Sequence, residues 1–427
     1  MAFQTQLCNE FAAIVGLDWA DRKHDLCLQV MPSGAREYTV LEQRPEAIED
    51  WANMLRVRFG NRRVAVCVEL RKGPVIHALA KYEHLVLFMV SPGLVAKVRR
   101  AFRPSGAKDD PSDAGLILDI LEKHPEQVRR LNPDDPRTRQ LAALVEARRA
   151  LVDRRTGVTN RLTANLKGYF PQALACFEDL ASLVACDFLR NWPSLGEAKR
   201  ARATTLETFF HRHGVRGKAR IDARIALLGE ALPLTTDAGV LKPAILATRT
   251  LVEELRVMLA SIERYDRTIA QVFDSHPDAF IFKSLPGAGA IFAPRLLAAL
   301  GSDRTRYPDA AAAQQYLGIA PVTEKSGNST WVHWRLACPT FLRQSIVEWA
   351  GMSMRYSIWA AAFYRQQREK GKGHHAAIRA LAFKWLRILY RCWQDCKPYD
   401  EATYLIALRE RKSPLLAYFV QQPAEPV

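Results

Sequence analysis

The chain has 427 residues, 48% of them hydrophobic, and carries 61 Lys and Arg against 45 Asp and Glu, a formal net charge of +16. That length exceeds one ordinary core and points to two or three domains, with apolar content ample for globular folding. No apolar run reaches the roughly 18–20 residues that span a bilayer, and so large a positive charge points to a polyanionic partner, nucleic acid before membrane.

The first residues, MAFQTQLCNEFAAIVGLDWADRKHD, lack a basic segment followed by a longer apolar stretch, so no signal peptide is expected. The eight cysteines are scattered. The closest pair, Cys392 and Cys396, has no second ligand pair, which disfavours zinc and suits a cytoplasmic protein with reduced thiols. Residues 12–17 form a short apolar run ending at Asp18, and 25–30 alternate as a half-buried strand does. A turn at PSGA leads to a third strand, REYTVLEQ, then an amphipathic helix over 45–58. VAVCV, 64–68, reads as a central strand ending at Glu69. A helix over 74–83, a strand over 84–90 and helices over 94–101 and 111–124 follow. The order predicts an α/β domain, a mixed sheet with crossover helices.

The acids fall at the ends of these elements. Asp18 closes the first strand and Glu69 the central one, and ligands of open α/β sheets sit beyond strand ends. Asp110, before Pro111, has the form of an N-cap with Asp113 at N3, a purely structural use. The same two residues, three apart on one face of the first turn, can also help hold a metal ion. If strands one and four are neighbours, four carboxylates gather at one edge and need a compensating cation. Oxygen-only ligation suits Mg2+ or Mn2+. Between strand and acids lies KVRRAFRPSGAK, where Lys97, Arg99, Arg100, Arg103 and Lys108 can neutralise phosphates.

Residues 139–168 read as a long helix with Leu144, Leu151 and Val158 seven apart. Leu255, Met258, Ile262, Tyr265, Ile269 and Val272 follow a coiled-coil seam. Pairing within the chain and pairing between chains fit this pattern equally. Residues 175–240 are helical in character without a legible motif. SLPGAGAIFAPRLLAALG, 284–301, is a glycine turn before an amphipathic helix, like the hairpin half of a helix-hairpin-helix element, where Gly287 and Gly289 would let a phosphate approach. EKSGNST, 324–330, reads as a polar, flexible loop, and Trp331 and Trp334 behind it suit core packing or base stacking. Lys325, Arg335 and Arg343 are candidate phosphate contacts. The tail helix over AAIRALAFKWLRILYRCW is apolar on one face and basic on the other.

VGLDWADRKHDLCL, VCVELRKGP, VSPGLVAKVRRAF and KDDPSDA resemble the four landmarks of the RuvC-like, RNase H-fold domain of DEDD insertion-sequence transposases. The family's lysine–x–Asp–x–x–Asp–Ala pattern matches Lys108, Asp110, Asp113 and Ala114, leaving Asp109 outside the quartet. Glu69 is followed by Leu70, Arg71, Lys72 and Gly73, where the family has a small residue and glycine. Glycine-x-x-proline, then serine–glycine, ahead of a basic helix is similar to the family's transposase domain and makes Ser326 the nucleophile, with Ser329 as runner-up. Lys325 stands where the family has Glu or Gln.

The resemblance implies a RuvC-like catalytic domain over 1–130, a helical coiled-coil region with an insert over 131–275, and a mainly helical transposase domain over 276–427. It further implies a metal-bound quartet of Asp18, Glu69, Asp110 and Asp113, a covalent phosphoserine link from Ser326 to DNA, and donor and target DNA chosen through a structured bridge RNA. A homodimer, with a tetramer in the active assembly, is the implied state, acting at the nucleoid. Two other classes are a RuvC-like junction nuclease using metal-activated water and a non-catalytic nucleic-acid-binding protein.

Overall fold

The computed structural model describes residues 7, 9–69, 73–102 and 110–419; Arg103, Lys108 and Asp109 lie outside them. The chain divides into two compact units, one reaching to Pro133 and one starting at Asp134. None of the described helices is long and apolar enough to cross a membrane.

In the first unit, β1 (Ala13–Asp18), β2 (Lys23–Val30) and β3 (Arg36–Glu42) form an antiparallel meander. There follow α1 (Pro45–Arg58), β4 (Val64–Val68), α2 (Pro74–Leu79), β5 (Leu85–Met89), α3 (Pro92–Phe102), α4 (Asp110–Lys123) and the two-residue β6 (Arg129–Arg130). The sheet order is β3-β2-β1-β4-β5-β6, with β1, β4 and β5 parallel. This is the expected mixed sheet: the bounds of β1 to β5 lie within two residues of the sequence reading, and the two-residue edge strand β6 is an addition to it. Helices cover both faces, so β4 is buried throughout and shows no alternation. Val15, Leu17, Val64, Val66 and Val68 pack under α1 and α2, whereas Ile14, Ala65 and Cys67 pack under α3 and α4.

Gly16 sets the second of these contacts. A Cβ there would lie 2.0 Å from the Ala114 carbonyl oxygen and 2.6 Å from the Leu118 nitrogen, so the backbone of α4 rests directly on β1. At the other end of α4, Glu122 accepts a 2.8 Å hydrogen bond from Gln29, whose strand partner is Ile14. The helix therefore runs antiparallel to β1, and its first turn lies toward the strand's C-terminal end.

The second unit is helical apart from one hairpin. α5 (Pro136–Lys167) and α6 (Ala238–Asp274) lie antiparallel, tied by Thr138 to His276, Arg148 to Asp266 and Asn165 to Thr248. The long helices thus pair within the chain. The buried stripe of α5 is Leu141, Val145, Val158, Leu162 and Leu166, a correction to the heptad reading: Leu144 and Leu151 are only half-buried. An antiparallel partner plus a five-helix insert between Gln172 and Glu230 demands a wider apolar face than a two-helix seam. α7 (Gly289–Leu300) is buried all round from Ala293 to Leu300, not amphipathic as expected, because it is the central helix of the C-terminal core. Against it packs α8 (Thr340–Ser353), and against α8 packs α9 (His374–Gln394), with Trp349 and Trp359 at 4.8 and 4.4 Å from Trp385 between ring centroids.

Asp135 caps α5, accepting from the backbone N–H groups of Arg137 and Thr138. Partial burial pushes its carboxyl pKa up, but hydrogen bonds from Thr138, Ser302 and these backbone donors prevail and hold it at about 2. Because the folded pKa lies below the unfolded value, the cap contributes fully above the ordinary aspartate range and is lost as pH falls toward about 2. Asp135→Ala is expected to cost about 1 kcal/mol at neutral pH, measured by urea unfolding. The difference from wild type should shrink at the acid end of the titration.

Candidate active site

Strand alternation decides which way the acids face. Ile14, Gly16 and Asp18 share one face of β1, and Ala65, Cys67 and Glu69 the same face of β4 and its extension. This is the face that α4 covers. β1 and β4 are in register up to Leu17 opposite Val68, so Asp18 and Glu69 follow as side-by-side continuations of parallel neighbours. Both are half-buried. Asp113 lies in the first turn of α4, which comes down toward the same strand ends, and is only 2% exposed. Asp110 opens that helix.

Asp113 is held by a two-pronged ion pair. Arg99 on α3 donates from Nε to Oδ1 at 2.8 Å and from Nη2 to Oδ2 at 2.6 Å. So buried a carboxylate needs a cation, and Arg99 is that counter-charge here. Arg99 was read from the sequence as a phosphate contact; its guanidinium is turned inward. Lys97 and Arg100, on the same helix, are exposed. Among the described residues no three His, Cys, Asp or Glu side chains form a ready metal cluster. The donor chemistry nonetheless fits a hard divalent ion: Asp18, Glu69 and Asp113 are carboxylates at strand ends and in a first helical turn, oxygen ligands of the kind such an ion takes.

The segment around Ser326 corrects the loop reading. β7 (Val322–Ser326) and β8 (Ser329–His333) form an antiparallel hairpin with Ser326 paired to Ser329. Gly327, at φ 56°, and Asn328 make the two-residue turn. Glycine at the first central position of such a turn, between β-prone VTEKS and STWVH, is a hairpin signal present in the sequence and missed there. Ser326, Lys325 and Ser329 are exposed. His333 pairs with Val322, four positions or roughly 13 Å along the strand from Ser326, and its ring lies 3.2 Å from Glu324. It is not positioned as the base for Ser326.

The remaining candidates divide. Arg335 donates from Nε to the Ala320 carbonyl at 3.2 Å, and Arg343 from Nη1 to the Arg335 carbonyl at 2.6 Å. Arg343 and Arg379 both lie over Trp334, 4.7 and 4.6 Å from the ring centroid, whereas Trp331 is 51% exposed. The ring left for base stacking is therefore Trp331. Gly287, at φ +69°, uses its freedom inside the fold: a Cβ would lie 2.8 Å from the Tyr356 ring. Gly289, at φ +49°, faces open space and leaves the start of α7 accessible.

Comparison with known proteins adds the family. The description "Transposase" for DEDD-type IS110 elements matches residues 15–171, and "Transposase IS116/IS110/IS902 family" matches residues 279–365, together more than half of the chain. A Streptomyces coelicolor protein whose name assigns it to the mini-circle IS117 as a transposase is 28% identical over 416 residues, 92% of this chain and 96% of the relative. The 43.6 kDa protein of insertion element IS110 from the same organism is 26% identical, covering 72% of this chain and 76% of its own length. The 42 kDa protein of insertion element IS900 from Mycobacterium paratuberculosis is 24% identical over 71% and 75%. The first matched segment carries the strand-end acids and the second the serine hairpin, and the chain belongs to the DEDD-type, IS110-family insertion-sequence transposases.

Proposed function

We propose that this transposase cleaves and rejoins DNA with Asp18, Glu69, Asp110 and Asp113 as ligands of Mg2+ or Mn2+ and Ser326 as the nucleophile. The observation that carries the reading is the shared face: Asp18 and Glu69 continue neighbouring parallel strands on the side where α4 brings Asp113. A divalent ion bound there supplies Lewis acidity toward a phosphoryl oxygen and charge stabilisation in the transition state. The four carboxylates would hold that ion at the strand ends. Arg99 holds Asp113 in one rotamer through its two-pronged contact. The Ser326 hydroxyl, exposed at a tight turn, attacks phosphorus; the Oγ–P bond forms, one P–O bond to the sugar breaks, and the hydroxyl proton leaves with the sugar oxygen. Reversal by a second strand's hydroxyl rejoins the DNA and frees the serine.

A structured bridge RNA pairing with donor and target DNA would set sequence choice, leaving the protein to read backbone and shape through its surplus of basic residues. The exposed Lys97, Arg100 and Lys325 suit that role, as does Trp331 for an unpaired base. Homodimerisation is supported by a groove along α5 and α6 that leaves Val257 65% exposed beside Leu151 and Met258. The test is incubation of the full chain with RNA, Mg2+ and a nicked DNA mimic, scoring DNA that stays attached to denatured protein. Attachment is expected with Mg2+, and should fall at least about a hundredfold in Asp18→Asn or with chelator. Undiminished attachment in Asp18→Asn would end the reading.

A further inference from the structure

In the second unit, three arginines converge where α5, α6 and the first turn of α7 meet. Arg148, Arg149 and Arg295 line a cavity of about 30 Å3 with Ala290 and Ile291, and Asp266 is the one carboxylate in its wall among the described residues. Arg148 is paired with Asp266, Nη2 to Oδ2 at 3.1 Å. Arg149 and Arg295 share Glu348 behind the wall, at 3.1 and 2.9 Å. Asp153, 59% exposed, also reaches Arg149 at 2.9 Å from outside the cavity.

Arg295 is the telling residue, with a side chain only 8% exposed. Its Nε donates to Ser345 Oγ at 3.0 Å and its Nη1 to Glu348, while Phe292 and Phe341 flank the guanidinium. Nη2 is buried with no hydrogen-bond partner among the described residues. A buried guanidinium nitrogen left unmet is costly, and it marks a place for an acceptor. Burial lowers the Arg295 pKa, and Arg149 and Arg148 lower it further against the pull of Glu348. Ala290 and Ile291 belong to the opening turn of the twelve-residue α7, where backbone N–H groups lack intrahelical acceptors. The helix dipole there adds to the arginines' attraction for an anion.

We propose that this cavity is a phosphate-group site, in which one non-bridging oxygen enters between Arg148, Arg149 and Arg295 to accept from Arg295 Nη2, with the other oxygens facing the start of α7. The group is either a nucleic-acid backbone phosphate, which would anchor DNA or RNA to the helical unit, or free inorganic phosphate. The first source rests on the transposase reading; the second does not.

The test uses the full chain carrying Ser326→Ala, so that binding is read without strand chemistry. Thermal unfolding is followed in sodium phosphate and in sodium chloride of equal ionic strength, and DNA and RNA affinity is measured against salt. Ile291→Asp places a carboxylate at the 39% exposed mouth without touching the buried network. Ile291→Asn is its neutral partner, and Ile406→Asp, at a 54% exposed position elsewhere, controls for added charge. Phosphate-specific stabilisation lost in Ile291→Asp, but kept in Ile291→Asn and Ile406→Asp, supports the site. A salt slope reduced by about 0.9 in Arg149→Gln and Ile291→Asp alone assigns a backbone phosphate; an unchanged slope alongside phosphate protection assigns the free ion. No phosphate-specific protection together with unchanged slopes overturns the proposal and leaves Nη2 to a buried water. Neither readout depends on adduct formation, so the catalytic reading can fail while this one stands.

Discussion

Ser326→Ala is expected to abolish DNA attachment to the protein and to lower strand rejoining by at least about a thousandfold, as loss of a covalent nucleophile does. Folding should be untouched. Ser326 is exposed at the end of β7, the turn is set by Gly327 and Asn328, and a surface change of this kind shifts stability by no more than about 0.5 kcal/mol. Ser329→Ala is the matched control. The two hydroxyls belong to directly opposed residues, whose Cα atoms in such a pair are roughly 5 Å apart, so both sample nearly the same surroundings. Attachment lost in Ser326→Ala and kept in Ser329→Ala assigns the nucleophile. The opposite pattern moves it across the hairpin. Cleavage unaffected in both variants favours a nuclease that activates water at the carboxylates, with the hairpin as a binding element only. Adduct detection on denaturing gels, beside circular dichroism of each variant, separates these outcomes.

The first unit was readable because its signals are local. Short apolar runs leading into Asp18 and Glu69, with intervening amphipathic helices, reflect a sheet covered on both faces, and a crossover connection favours neighbouring parallel strands. What sequence could not supply was the inward turn of Arg99. In KVRRAF its charge looks like those of Lys97 and Arg100, and only packing against α4 sets it apart. The hairpin at Ser326 was missed for a different reason. Its residues are mostly polar and exposed on both faces, so regular hydrophobic alternation is absent and the Gly-Asn turn is the clearest sign of it. Leu144 and Leu151 misled because a seven-residue spacing cannot distinguish a two-helix seam from one side of a broader helical core. The cavity at Arg295 has no sequence signature, since Arg295 lies more than a hundred residues from Arg148 and Arg149.

Gly16→Ala is expected to be among the most damaging single substitutions in the first unit, and the contrast with Gly115→Ala shows why. At Gly16 the new methyl would meet backbone atoms of α4, the Ala114 carbonyl oxygen at 2.0 Å and the Leu118 nitrogen at 2.6 Å. A backbone cannot rotate away, so α4 must lift from β1 and give up the contacts of Ile117 and Leu118 with the sheet. Overpacking of a core costs about 1–3 kcal/mol, and a rigid obstacle puts this case at the upper end or above. At Gly115 the methyl would instead meet the Tyr38 hydroxyl at 3.2 Å, the tip of a half-exposed side chain that can swing aside. Alanine also suits a helix better than glycine by up to about 1 kcal/mol. Gly115→Ala should therefore be neutral or mildly stabilising in urea titration, and Gly16→Ala should shift the midpoint strongly downward. The functional consequence follows from the same geometry. Lifting α4 carries Asp113 and the start of the helix away from Asp18 and Glu69, so Gly16→Ala should weaken Mg2+ or Mn2+ binding, read by calorimetry where the variant is still folded, though no ligand has been replaced. Metal affinity equal to wild type in a folded Gly16→Ala chain would show that the helix and the strand ends do not act on a common ion.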